Sequence, residues 1–342
     1  MRRLLLSTVA ALALVVTALA VGPAGAGSAK PQPRALVIAT FGGPDAAGRF
    51  TGEAAPWEAN EHLTRTLTVP GLAVQDENPA GEVHCTQSLR LCVTVVGTTK
   101  SKSGPGTAAL LSFPGWDLSK AHFLLVGIAG IATWNGTIGD AAIGNIVDTN
   151  LGTDYVRPGQ GGTCAGWDPF DVSNGSGNPY TQATYNLPLS DWAFNLTKNV
   201  KLAVGGDAVI RERAFYGAAE KAEKPRVRRG GVGGHDSFWV GRDQARRQDC
   251  IYAFRAKQFG LDDQRITSAF EDPGVAGALI RRGRLGDLVV VRTGSDFEDQ
   301  RPGTTPHDLY ELLHSDEGFA AFGIAVENEW RVGRVIAHAW AG

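Results

Sequence analysis

The sequence predicts an α/β fold: a single domain in which a central mixed, mainly parallel β-sheet is flanked by helices. Three observations carry this expectation. Short β-branched apolar runs recur at residues 35–41, 91–97, 122–128, 141–147, 266–270 and 287–293, and their unbroken apolarity is that of strands buried on both faces. Helix-length patterns at 106–113, 189–203, 242–260, 273–282 and from 307 onward lie between and after them, the plan of helices laid over a sheet. No Pro/Ser-rich linker divides the chain, so its length reads as one large domain.

Taken in order, the chain opens with Arg2 and Arg3, an apolar run over 4–21 and a small-residue stretch to 29. This is the plan of a secretory signal peptide over residues 1–26, cut after Ala26, where Ala24 and Ala26 supply the small side chains of the cleavage site. An uncleaved anchor is the alternative, since the run is nearly long enough to span a bilayer. The domain then occupies 27–342. It contains no second apolar stretch of membrane-spanning length, so no membrane span is expected in the mature chain, which is placed outside the cytoplasm, secreted or associated with the cell envelope.

Four cysteines, Cys85, Cys92, Cys164 and Cys250, are an even number that reads in an exported protein as two disulfides. Cys85 and Cys92 flank the short polar stretch 86–90, which suits a hairpin that brings the sulfurs together. Cys164 with Cys250 follows by elimination, and free buried thiols are the alternative for both pairs. With no CxxC or HExxH spacing, no metal site is expected.

Between the strands, residues 157–188 are rich in Gly, Asn, Pro and Thr and read as a long loop at the mouth of a site. Residues 220–234 alternate Lys and Arg before a glycine cluster and read as a solvated loop. They lack the interleaved aromatics of a nucleic-acid patch, and the chain's formal net charge of −2 gives no reason to expect a polyanionic partner.

Three carboxylates draw attention. In VVVRTGSDFED, residues 289–299, an apolar strand ends in a small-residue turn presenting Asp296, and the carboxyl ends of strands are where open α/β sheets hold ligands. Alone, such an Asp is more often a helix cap or turn residue. Glu271 closes the run at 266–270 just before a small-residue helix, where a helix-stabilising charge is the plain reading. Glu53 follows the first strand and reads first as a surface glutamate.

The surroundings of these residues resemble one family throughout. LTVPGL at 67–72, VHCTQSLRLCVTVVG at 83–97, FLLVGIAGI at 123–131 followed by NGTIGD, and the segments around Phe238, Glu271 and Asp296 are similar to the purine nucleoside permease family, within the purine nucleoside phosphorylase and methylthioadenosine nucleosidase superfamily. The resemblance implies a nucleoside-phosphorylase-like fold and gives the carboxylates roles. Asp296 stands where nucleosidases hold the acid that protonates purine N7, Glu271 where a glutamate meets the ribose hydroxyls, and Glu53 where a glutamate activates water. Phe238 stands where an aromatic ring stacks on the base. Gly127, Ala129 and Gly130 match a small-residue turn against which the base lies; tight packing is the alternative.

The nucleophile implied is water. Phosphorylases carry an arginine where this chain has Leu125, and a leucine cannot hold a phosphate dianion. Arg49 and Thr107 remain as a candidate anion or water site, with inorganic phosphate as co-substrate in that alternative and no other cofactor. The resemblance thus points to an extracellular purine nucleosidase. A phosphorylase is one rival; a non-catalytic nucleoside-binding protein assisting a transporter is another. Superfamily members commonly form homo-oligomers, though nothing in the sequence specifies a number.

Overall fold

The long apolar runs become the inner strands of one sheet. The computed structural model describes residues 30–148, 182–184, 186–234, 238–315 and 318–342, so the leader, Cys164, residues 235–237 and most of the irregular stretch 157–188 lie outside the described residues. In chain order the first half runs β1 (Ala35–Ala39), α1 (Ala55–Asn60), β2 (Leu63–Thr68), β3 (Glu82–Thr86), β4 (Leu91–Val95), α2 (Lys100–Ser112), β5 (His122–Ile131), β6 (Ala141–Asp148) and β7 (Gln182–Thr184). The second half follows with α3 (Leu187–Thr197), α4 (Asp207–Phe215), α5 (Ala218–Ala222), β8 (Val227–Gly234), α6 (Arg242–Gln258), β9 (Arg265–Ala269), α7 (Asp272–Arg281), β10 (Leu288–Phe297), α8 (Pro306–Leu313) and α9 (Phe322–Ala341).

β1 pairs in parallel with both β4 and β5, and β5 pairs in parallel with β10. Beyond that core the sheet is mixed. β10 meets β6 antiparallel, β6 and β8 are parallel, β8 and β9 are parallel, and β9 returns antiparallel to β5. The strands β5, β10, β6, β8 and β9 therefore close on themselves, while β1, β4, β3 and β2 extend as an open wing.

Strand alternation sorts side chains to two faces. Leu36 and Ile38 join Leu110 of α2 and Val275 and Leu279 of α7; Ala35, Val37 and Ala39 join Trp57 of α1, Ala193 of α3 and Val332 and Ile336 of α9. α2 and α7 cross closely because both carry glycine there: a Cβ on Gly274 would lie 2.2 Å from Ser103 Oγ and 2.8 Å from the Gly104 nitrogen. β2 is the exposed edge, and its Thr and Arg side chains face water.

The hairpin expected around the first cysteine pair is present. Cys85 and Cys92 are direct cross-strand partners of β3 and β4 and form a disulfide. Cys250 is also disulfide-bonded; Cys164, the partner expected for it, lies outside the described residues.

Two expectations need correction. Residues 227–234, read as solvated loop, form β8 inside the ring. Its glycines are strand residues because neighbours press on them: a Cβ on Gly231 would fall 1.8 Å from Cζ of Tyr252 in α6, and one on Gly230 would fall 2.4 Å from Ile266. The last strand, expected to stop at 293, continues to Phe297 with every residue buried. Asp296 therefore sits within a strand and caps no helix. Among the described residues no helix is long and apolar enough to cross a membrane.

Candidate active site

A cavity of about 510 Å³ lies at the carboxyl ends of β1, β5 and β10, the position at which side-chain groups from neighbouring parallel strands converge. Its lining mixes polar side chains, among them Glu53, Thr98, Glu271, Asp296 and Glu298, with aromatic ones, including Phe41, Phe238, Trp239, Phe270 and Phe322.

Glu53 reaches the cavity because the chain turns sharply after β1. The loop 42–52 returns on itself, with Gly42 at φ 129° where a Cβ would sit 2.1 Å from the Thr51 carbonyl oxygen. The buried Glu53 carboxylate then accepts hydrogen bonds from the Thr40 N–H (2.7 Å), the Thr40 hydroxyl (2.9 Å), the Phe41 N–H (2.8 Å) and the Ile128 N–H (2.9 Å). It thereby fastens the ends of β1 and β5 together.

Arg292, in the middle of β10, organises the carboxylates and is fully buried. Its guanidinium donates to Asp272 Oδ1 at 2.5 and 2.8 Å and to Glu271 Oε2 at 3.1 Å, and stands 3.7 Å from Glu53 Oε1. Gly127 makes this possible, since a Cβ there would lie 1.9 Å from the guanidinium and 2.5 Å from Glu53. The three neighbouring carboxylates hold the guanidinium above its usual pKa. Burial pushes Glu271 up to about 7, against the opposing pull of Arg292 and with Glu53 and Asp272 adding to the rise. Behind this group, Glu329 of α9 is fully buried; burial pushes its carboxyl well up, with Glu53 adding to the rise and Arg292 and the Trp57 side chain opposing it.

Asp296 also lines the cavity and pairs in register with Gly130 beyond a bulge in β10. Burial pushes its pKa to about 7; the Ser295 hydroxyl, donating to Oδ1 at 2.6 Å, draws it down, while Glu298 and Glu212 push it up. Two residues on, Glu298 is clamped by Arg265 at 2.6 and 2.8 Å and accepts from the Ser268 hydroxyl at 2.6 Å.

The structure brings Asp296, Glu53, Glu271, Phe238, Ala129 and Gly130 to one cavity. Gly127 does not line it; its smallness serves Arg292 and Glu53. Arg49 is drawn away by Asp45, which it meets at 2.7 Å on an exposed loop tip. Thr107 is buried in the body of α2 with its hydroxyl unpartnered, and Thr98 faces the cavity in its place. Trp239, next to Phe238, also lines the cavity. Arg292, Asp272, Arg265 and Glu298 escape motif reading, although an arginine inside VVVRTG already signals a buried cation in need of carboxylates.

The same architecture occurs in solved structures. A methylthioadenosine/S-adenosylhomocysteine nucleosidase from Colwellia psychrerythraea, in complex with adenine, superimposes with a TM-score of 0.53 at 15% identity, over 91% of this chain and 96% of that one. Futalosine hydrolase of Helicobacter pylori does so with a TM-score of 0.51 at 11% identity, over 90% and 98% of the two chains. The chain thus has the nucleoside phosphorylase and nucleosidase fold. Residues 32–341 match the purine nucleoside permease family, to which the chain belongs. A purine nucleoside permease of Candida albicans is 24% identical over 323 residues, spanning 90% of this chain and 74% of that protein.

Proposed function

We propose that the chain binds a purine nucleoside in this cavity and hydrolyses its N-glycosidic bond outside the cytoplasm. The observation that carries the reading is the pairing of a carboxylic acid that keeps its proton to about pH 7, Asp296, with an Arg292-centred carboxylate group in the same cavity. Breaking the bond sends its electron pair into the purine, so an acid at N7 makes the base a better leaving group. The sugar becomes cationic as the bond breaks, and carboxylates beside it oppose that charge.

In this reading Phe238 stacks on the base, Asp296 gives its proton to N7, and Glu271 accepts hydrogen bonds from the ribose hydroxyls. Glu53 receives the proton of the water that adds to the anomeric carbon. Water is favoured over phosphate because the described residues lining the cavity include four carboxylates and no Lys or Arg, an unwelcoming surface for a dianion. Export through a leader cut after Ala26 fits the disulfide between Cys85 and Cys92.

Purified protein incubated with inosine or adenosine in phosphate-free buffer should release free base and ribose. Strict dependence on added phosphate would replace hydrolysis by phosphorolysis. The family's description supports a second reading, a binding protein that hands nucleoside to a transporter; tight nucleoside binding without turnover, unchanged in Asp296→Asn, would establish it.

A further inference from the structure

The segment that carries Glu53 into the cavity is held from outside the cavity. Glu53 lies between Phe50, in the loop after β1, and Glu58, on α1. Both flanks converge on one side chain of the open wing, His84 of β3. The Phe50 and His84 rings stack with centroids 4.4 Å apart and planes inclined by 23°, and Glu58 Oε1 meets His84 Nδ1 at 2.5 Å. The same Glu58 oxygen accepts the Phe50 N–H at 3.5 Å, which closes the triangle. Phe50 and His84 are both buried, and Phe50 packs among Ala54, Val93 and Val95. Between the two anchors the backbone takes a left-handed step at Gly52, φ 59°. Such a residue adds little stiffness of its own, so the direction in which Glu53 leaves the chain depends on what holds the segment on either side.

The His84 ring is engaged at both nitrogens, since Nε2 stands 3.3 Å from Glu82 Oε2. With a carboxylate at each nitrogen the ring donates on both sides, as only an imidazolium can. Burial pulls its pKa down, yet Glu58 and Glu82 more than offset this and hold it above the ordinary histidine value.

Building on the nucleosidase reading, we propose that His84 is a positioning residue for hydrolysis: by stacking on Phe50 and pairing with Glu58 it fixes both flanks of Glu53, and so holds the Glu53 carboxylate where it takes the proton of the attacking water. His84 does not itself line the cavity, so its influence runs through Glu53. Proton transfer needs heavy atoms about 2.6–3.2 Å apart, and a misplacement of about 1 Å can cost about 10²-fold in rate. A clamp on the carrier of Glu53 is therefore felt in the chemical step and not in recognition of the base at Phe238.

A double-mutant cycle on the kcat of inosine hydrolysis tests this. His84→Gln should lower kcat about tenfold to a hundredfold and leave KM within about twofold of wild type. Phe50→Leu, which keeps apolar bulk and removes the stack, should lower kcat in the same sense. In a Glu53→Gln background either change should cost less than about twofold, because the group being positioned is gone. Losses that add in full to that of Glu53→Gln, an unchanged kcat, or an effect confined to KM would overturn the role of His84 and leave the nucleosidase reading standing. Base release that is absent from the wild type, or strictly dependent on phosphate, would overturn the hydrolytic reading and this assignment together. Should His84→Gln fail to fold for want of a full partner to Glu58, the Phe50→Leu arm of the cycle decides.

Discussion

Asp296 couples chemistry to stability through one proton. Its folded pKa of about 7, like that of Glu271, lies above the ordinary carboxylate value, so the folded chain binds protons that the unfolded chain has released. Stability is therefore greatest below about pH 4 as far as these two groups are concerned, and it declines as pH rises toward 7, each contributing a slope of up to about 1.4 kcal/mol per pH unit. Asp296→Asn should lose its share of that decline in urea titrations between pH 4 and 8 and exceed wild type in stability at pH 8. In steady-state assays the same change should lower kcat by about 10²- to 10⁴-fold, whereas wild-type kcat/KM should fall above about pH 7 as the acid ionises. A wild-type rate that stays level from pH 6 to 9 would exclude Asp296 as the acid. Arg292 makes a different prediction. Its removal leaves Glu53, Glu271 and Asp272 buried without their cation, so Arg292→Met should cost about 3–5 kcal/mol in chemical denaturation. Asp296, Glu271 and Glu53 were legible because their neighbours in sequence resemble a family. Arg292 and Glu298 were not, because their partners stand on other strands and helices at distances that no spacing in one segment reveals.

At the scale of elements, glycine was the residue type most easily misread. VRRGGVGG looks like a loop by composition, yet it is β8, and Gly231 has no side chain because the Tyr252 ring of α6 occupies that space. Gly231→Ala should destabilise the fold by about 1–3 kcal/mol, the ordinary cost of overfilling a packed site, measured as a lower midpoint in urea. No loss would mean that α6 stands off the strand. The hairpin of β3 and β4 shows the opposite case. A short polar turn between two cysteines is a local signal, and local geometry sufficed to read it. The β10 strand was found but cut short at 293, since Gly294 and Ser295 look like a turn until β5 on one side and the bulge at Asp296 are known.

The whole molecule poses the question of where it works. Mass spectrometry of protein recovered from the medium or cell envelope of an expressing bacterium should give a chain beginning at Gly27; an intact Met1 chain held in the membrane would favour the uncleaved anchor. The sequence by itself determined the α/β class, the places along the chain of β1, β4, β5, β6, β9 and β10 and the carboxylates worth watching, because strand burial and helix patterning are written in residues close together. Only the tertiary structure decided that β5, β10, β6, β8 and β9 close into a ring, that Arg49 and Thr107 stay out of the cavity, and that Arg292 and Arg265 each gather carboxylates around them. A buried charge chooses its partners by proximity in space, and that proximity comes into being only when strands distant in sequence are laid side by side.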